Sequence, residues 1–303
     1  FHSHDNGQTW DSGVSVFGVN GSCSIAKDQN DNLHFTRGDA ASNIKYRRAV
    51  VTKNGEWTWS LETEYTVTTA TDCYYPSITV DSNSYIHIFY ERTGTNPVWA
   101  RSIDNGANWT LTSIAFGAGR AGEIIHDDDN NLYILAVAFT SMSALTGVKI
   151  TFTPPSTWEV GTIYTIDSAT TCYPGSAGID PDGRLYVTYS KVATTRLYFK
   201  RSTNIKDPSS WESEVEVSIF MKSQYDHSLH IERRRILKSF YNDSHVNTNA
   251  DTVYEDSYVK GATFGLRKAI TWDASGNRYV SIVRTPTNNK LDFVWTLGTG
   301  SPY

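Results

Sequence analysis

Basic surplus, long apolar runs and paired cysteines are all scarce in this sequence. Its 27 lysines and arginines stand against 32 aspartates and glutamates, a net charge of −5 and a pI near 5.9. That balance leaves no electrostatic footprint for nucleic acid. The one basic run, Arg233-Arg234-Arg235, reads as a solvated turn between strands. No apolar run approaches the roughly 18 residues a membrane span needs, so none is expected. Three cysteines, Cys23, Cys73 and Cys172, do not make a disulfide framework; they allow an extracellular setting without arguing for it. No Cys/His spacing suits zinc, and no glycine loop would cradle a phosphate. No metal or cofactor is therefore expected, and HDDDNN (His126 to Asn131) reads as a turn rather than a calcium loop. Helical periodicity is missing as well.

Aromatic residues are abundant: 18 tyrosines, nine tryptophans and only two methionines lean towards strands. With 303 residues, 39% of them hydrophobic, the chain is long enough to bury a large core. It starts at Phe1 rather than Met, which fits removal of a leader or a preceding region, and a place in a larger polypeptide or assembly.

The tryptophans set a period. Trp10, Trp59, Trp109, Trp158 and Trp211 are separated by 49, 50, 49 and 53 residues. Strand-plus-turn phrases recur beside them: SIAKDQNDNLHFTRGD, SITVDSNSYIHIFYER, EIIHDDDNNLYILAVA, AGIDPDGRLYVTYSK, LHIERRRILKSFYND and AITWDASGNRYVSIVRT. Each is an apolar run, an Asp/Asn/Gly turn and an alternating strand, which is the composition of a β-hairpin. Six such hairpins at about fifty residues per unit predict an all-β chain, a single six-bladed β-propeller of four-stranded antiparallel blades. The blades fall at about 21–71, 72–118, 119–170, 171–222, 223–268, and 269–303 with 1–17, one domain over 1–303. The N-terminal strand would close the ring against the C-terminal segment. The outer strand of the fifth blade, in ATFGLRKA, is expected to be short or missing.

One phrase occurs twice, as SHDNGQTW (Ser3 to Trp10) and SIDNGANW (Ser102 to Trp109). The second lies between two outer strands. Asp104 is suited to accept N–H groups of its own turn, Gly106 to take φ > 0, and Trp109 to pack between blades. Asp5, Gly7 and Trp10 would do the same at the closing blade. The phrase reads as a structural staple rather than a catalytic signature.

SHDNGQTW and SIDNGANW resemble the Asp-box, Ser-x-Asp-x-Gly-x-x-Trp, of the sialidase superfamily and other BNR-repeat propellers. NGEWTW and STNIKDPSSW look like degenerate versions, the latter similar to blades of BNR-repeat polysaccharide lyases. The resemblance implies a carbohydrate-active propeller. The Arg-Ile-Pro signature of sialidases is absent, the chain reading GSCSIA and TRGD near its start, so the resemblance does not extend to strict sialidase activity.

Antiparallel strands running outward from an axis put the staples on one face, and the entries to first strands with the exits from second strands on the other. That second face collects Arg37, Arg92, Arg120 and Arg284, the carboxylates Glu91, Glu123, Asp226 and Asp243, and Tyr75 and Tyr173. His227, Tyr241 and His245 fall together on the fifth blade beside Arg284, as candidates to move protons. Arginines, carboxylates and aromatic platforms are what a glycan would engage. The sequence thus predicts recognition and cleavage of an extracellular or cell-surface polysaccharide, by a hydrolase or a lyase. The alternative is a non-catalytic glycan-binding, receptor-binding or structural module. The expected setting is secreted, extracellular or on a virion surface.

Overall fold

The structure is a computed structural model describing residues 15–18, 21–38, 43–54, 56–118, 120–138, 144–168, 172–191, 196–218, 227–231, 237–243, 251–257, 268–269, 277–285 and 290–297. Side chains are described up to Glu216, outside 53–57, 119–121, 138 and 173–174. Among the described residues every regular element is a strand, and no helix is long and apolar enough to cross a membrane.

The strands form successive antiparallel sheets in chain order. The first sheet holds β1 (Ser22–Lys27), β2 (Leu33–Gly38), β3 (Lys45–Asn54) and β4 (Glu56–Leu61), with β5 (Tyr65–Thr66) also paired to β3. The second runs β6 (Cys73–Val80), β7 (Ile86–Arg92), β8 (Val98–Ser102) and β9 (Thr110–Ser113). The third runs β10 (Arg120–His126), β11 (Leu132–Ala138), β12 (Leu145–Thr153) and β13 (Thr157–Asp167). The fourth runs β14 (Cys172–Ile179), β15 (Arg184–Lys191), β16 (Arg196–Ile205) and β17 (Val215–Ser218). The fifth runs β18 (His227–Ile231), β19 (Leu237–Asp243), β20 (Asp251–Ser257) and β21 (Lys268–Ala269). Among the described residues its outer strand has two. A last pair is β22 (Asn277–Thr285) with β23 (Lys290–Leu297). The closure expected from residues 1–17 falls, for 1–14, outside the described residues.

The chain divides into two compact units. One comprises Phe1–Ile134, Ile150–Gly161 and Thr285–Asp292, the other Leu135–Lys149, Thr162–Arg284 and Phe293–Tyr303. The first unit's core is built on Ile44, Tyr46, Ile78, Ile86, Ile88, Tyr90 and Val98. The second has its own, on Leu135, Val137, Leu145, Ile166, Val187, Tyr189 and Tyr198. Each such side chain, once buried, contributes about 1.5–3 kcal/mol.

The first four hairpins share one turn chemistry. Asp28, Asp81, Asp127 and Asp180 each accept on Oδ1 the backbone N–H groups two and four residues on, at 2.8–2.9 Å. The residue three on is left-handed, with φ of 65° at Asp31, 62° at Ser84, 64° at Asn130 and 86° at Gly183. Asp, Asn and Gly tolerate that region best. The second carboxylate oxygen meets a buried side chain six residues on, in the next strand. His34 and His87 reach it through Nε2 at 3.3 Å, Tyr133 and Tyr186 through their hydroxyls at 2.9 and 2.8 Å. The turn is therefore anchored to the core as well as to itself. Burial lowers the basicity of both histidines against the pull of their aspartates, so both rings are neutral. With Nε2–H directed at Asp28, Nδ1 of His34 accepts the Tyr46 hydroxyl at 2.8 Å.

Candidate functional site

In the first unit, the starts of β1, β6 and β10 and the ends of β2 and β7 lie at one end, opposite the aspartate turns. We call this the entry end. Serines stitch neighbouring sheets together here. Ser22 Oγ donates to the Gly38 carbonyl and accepts the Tyr75 N–H, both at 3.0 Å. Ser24 Oγ accepts the Ile78 N–H at 3.3 Å, and Ser77 Oγ accepts the Ile124 N–H at 3.1 Å. Ser77 Oγ also donates to Glu123 Oε2 at 2.7 Å.

The backbone is irregular where β6 enters. Asp72 and Tyr75 have φ of 61° and 45°, and the register with β7 shifts between Tyr74 and Ser77. A tyrosine in that region costs energy and is held by its surroundings. The bulge re-aims side chains, and the Tyr74 and Tyr75 rings sit 6.1 Å apart and tilted by 31°.

Charge gathers beside these rings. Arg92, across from Cys73 in the ladder, is exposed, and Glu91, across from Tyr74, is 4% exposed. Glu91 Oε2 has no hydrogen-bond partner among the described residues, and burial pushes its carboxyl up to about 7. Burial also pushes Glu123 up to about 7, against the bond from Ser77. Arg37 is buried at the end of β2, its guanidinium 5.7 Å from the centre of the Phe17 ring.

The Glu91 shift fixes the sign of a pH effect. The folded chain keeps a proton that the unfolded chain releases near the ordinary 4.5. Its stabilising contribution is whole below that value and is lost as pH rises through about 7. Glu91→Gln has no such loss, so between pH 5 and pH 8 the variant should gain on wild type by on the order of 2 kcal/mol. Urea unfolding of both proteins at the two pH values measures this, and a pH-independent difference would refute it.

The second unit holds a different polar cluster. The buried Tyr189 hydroxyl, on β15, lies 2.7 Å from Asp167 Oδ2 and 2.8 Å from Glu214 Oε2. Lys191 bonds Glu214, and Lys200 Nζ is 3.2 Å from Asp167. Burial, then the two carboxylates, hold the phenolic proton on. Tyr189 is accordingly a hydrogen-bond donor at neutral pH and not a phenolate. Burial likewise pushes the neighbouring Cys172 thiol up to about 11.

At the turn end of the first unit, Ser102–Trp109 closes on itself. Asp104 accepts Asn108 N–H and the Ser102 hydroxyl, at 2.9 and 2.8 Å, and Trp109 Nε1 donates to the Gly106 carbonyl at 2.9 Å. Gly106 has φ of 91°, and a Cβ there would collide with the Tyr46 ring. Trp109 packs edge-on to Tyr46 of the preceding sheet, with centroids 5.4 Å apart. Trp211 repeats the tryptophan bond, donating to the Pro208 carbonyl at 2.9 Å.

The chain matches no protein-family model and no curated protein. Solved structures do resemble it. An intramolecular trans-sialidase from Ruminococcus gnavus, solved with oseltamivir carboxylate, is 9% identical with TM-score 0.65, covering 91% of this chain and 89% of its own. An ulvan lyase from a new family of polysaccharide lyases is 11% identical with TM-score 0.56, covering 95% of this chain and 81% of its own. A lectin in complex with α-methyl fucoside is 13% identical with TM-score 0.57, covering 92% of this chain and 89% of its own. The likeness is one of fold. Sialidases and polysaccharide lyases of this kind are β-propellers, and the successive antiparallel sheets of this chain share their architecture.

Of the residues singled out in the sequence, Tyr75, Glu91, Arg92 and Arg37 lie at the entry end of the first unit, with Arg37 and Glu91 turned into the interior, and Glu123 is the middle residue of β10, bonded to Ser77. Arg120 starts β10 and Tyr173 lies in β14; their side chains are outside the described set. The same holds for His227 and Tyr241, which face each other in the β18–β19 register, for Asp243 at the end of β19, and for Arg284 in β22. Asp226 and His245 lie outside the described residues, as do Asp5, Gly7 and Trp10. HDDDNN forms the turn at Asp127, with Asp128 and Asp129 exposed beside it. Unforeseen were the buried partners of the turn aspartates and the Tyr189 cluster. The first has a sequence signal, Asp followed six residues later by His or Tyr, at Asp28, Asp81, Asp127 and Asp180 and again at Asp273 and Tyr279.

Proposed function

We propose that this chain is an Asp-box propeller of six blades that recognises and cleaves an extracellular polysaccharide at the entry end. One observation carries the reading. An exposed arginine and two tyrosine rings, Tyr75 on a left-handed residue, share the strand starts with Glu91, and Glu123 lies on the adjoining β10; burial keeps both carboxyls protonated up to about pH 7. Aromatic rings suit sugar faces, a guanidinium suits the carboxylate of an acidic sugar, and a protonated carboxyl suits a leaving oxygen. Neighbours that act on or bind glycans support the same class. A lyase would instead work on the second unit, with His227, Tyr241 and His245 moving the protons beside Arg284, and the register of His227 with Tyr241 supports that variant.

The test is a screen of sialylated and uronate-containing oligosaccharides, read for binding, new reducing ends and the absorbance of an unsaturated product. Arg92→Ala should weaken binding of an acidic glycan about tenfold or more, the scale of one charge-assisted hydrogen bond. Absence of binding to every glycan, or unchanged affinity in Arg92→Ala and Tyr75→Ala, would end the proposal. The tyrosine pair equally favours a lectin. In that case Tyr75→Ala loses affinity and no product forms.

A further inference from the structure

Aligning the hairpins on their turn aspartates sets one acidic residue apart. Four positions before Asp28, Asp81 and Asp180 stand Ser24, Ser77 and Ser176, and four before Asp273 stands Ala269; four before Asp127 stands Glu123. The serine at this register has a structural duty. Ser24 and Ser77 each accept the N–H of the next sheet's first strand, from Ile78 and Ile124. Glu123 therefore puts a long acidic side chain where packing is satisfied by a hydroxyl. A buried carboxyl is costly, and a departure of this kind from a structural repeat is expected where function overrides packing.

Its geometry is directional. Ser77 Oγ takes the Ile124 N–H and gives its own proton to Glu123 Oε2. Oε2 is thereby an acceptor, which leaves Oε1 to carry the carboxyl proton. Glu123 as a residue keeps partial exposure and its Oε2 is engaged by a donor, whereas Glu91 is 4% exposed and its enclosed Oε2 has no hydrogen-bond partner among the described residues.

We infer that Glu123 is a catalytic residue, the acid that protonates the leaving oxygen when the entry end hydrolyses a glycan; this rests on the glycan-cleaving reading above. The glycosidic C–O bond breaks and its electron pair leaves with the oxygen. The Oε1 proton moves to that oxygen and completes a hydroxyl. Water adds hydroxide to the anomeric carbon, and its other proton restores the carboxyl through solvent. The strands packed on β10 carry few groups that titrate near neutrality. β6 brings tyrosines and Cys73, whose thiol burial pushes up to about 11; β7 brings His87, Glu91 and the fixed charge of Arg92; β11 brings Tyr133. On β10 itself His126, bonded to Thr79, is held neutral by burial.

The experiment compares wild type, Glu123→Gln and Glu123→Ser on the oligosaccharide panel and on the dinitrophenyl glycoside of the sugar cleaved best. Glu123→Ser restores the residue found at this register before Asp28, Asp81 and Asp180 and so protects the fold. Both variants should bind the panel glycan as wild type does, and cleave it at least about a hundredfold more slowly. They should keep most activity on the dinitrophenyl glycoside, whose leaving group needs no proton. Wild-type kcat/KM should fall as pH rises through about 7, and that limb should vanish in Glu123→Gln. Wild-type cleavage by Glu123→Gln, or equal losses on both substrates, would overturn the assignment. A wild type that binds a glycan and releases nothing overturns the assignment alone, leaving a lectin. A wild type that binds no glycan overturns the parent reading with it.

Discussion

Trp109→Ala should destabilise the protein by about 3 kcal/mol, the lower end of the range for truncating a large aromatic side chain, because the ring is only partly buried. Three contributions go at once. The indole loses its edge-on contact with Tyr46, the cluster around Ile44, Tyr46 and Val98 loses a wall, and the Gly106 carbonyl loses its donor. Tyr46 also supports His34 through its hydroxyl, so the loosened ring connects the outer turn to the buried Asp28–His34 pair. Urea unfolding should show a lower midpoint with little change in slope. Glycan binding by the folded fraction should be intact, because Ser102–Trp109 lies at the opposite end of the sheet from Tyr75 and Arg92. A stable Trp109→Ala protein that had lost binding would overturn the assignment of this turn to structure.

Asp180→Ala in the second unit should cost a similar amount, about 3 kcal/mol. The carboxylate accepts the N–H groups of Asp182 and Arg184 and the buried Tyr186 hydroxyl. Bonds to a charged acceptor are worth about 1.5–3 kcal/mol each, though three on one group are not additive. The larger penalty is the Tyr186 hydroxyl left without that acceptor in a site only 1% exposed. Asp180→Asn keeps a carbonyl oxygen and should recover part of the loss. Unfolding within about 0.5 kcal/mol of wild type for Asp180→Ala would show that the turn is held by its backbone alone.

The turns were legible in the sequence because their chemistry is local. Asp104, Gly106 and Trp109 interact over two to four residues, and the positive φ at Gly183 goes with the PDG of its turn. Strand order followed from the same punctuation. The partners six residues on were missed because attention to turn composition stops before the next strand, although the spacing is constant. The Tyr189 cluster had no such signal: Asp167 and Glu214 join it across 22 and 25 residues. Arg37 and Glu91 stand near the ends of β2 and β7 as chain positions. Which way each side chain turns depends on the local ladder, and both turn inward. Glu123 was read as one carboxylate among several. Its distinction appears only when the repeats are aligned on the aspartate and the duty of the serine register is known.

The central claim is that the entry end of the first unit, and not the turn end, meets the glycan. It is tested most directly by measuring affinity for the best-bound oligosaccharide of the panel in wild type, Tyr75→Ala and Trp109→Ala, under conditions where all three are folded. The account predicts wild-type affinity in Trp109→Ala and a loss of about tenfold or more in Tyr75→Ala, the scale of a stacking ring removed from a sugar face. Retained affinity in Tyr75→Ala together with lost affinity in Trp109→Ala would contradict it.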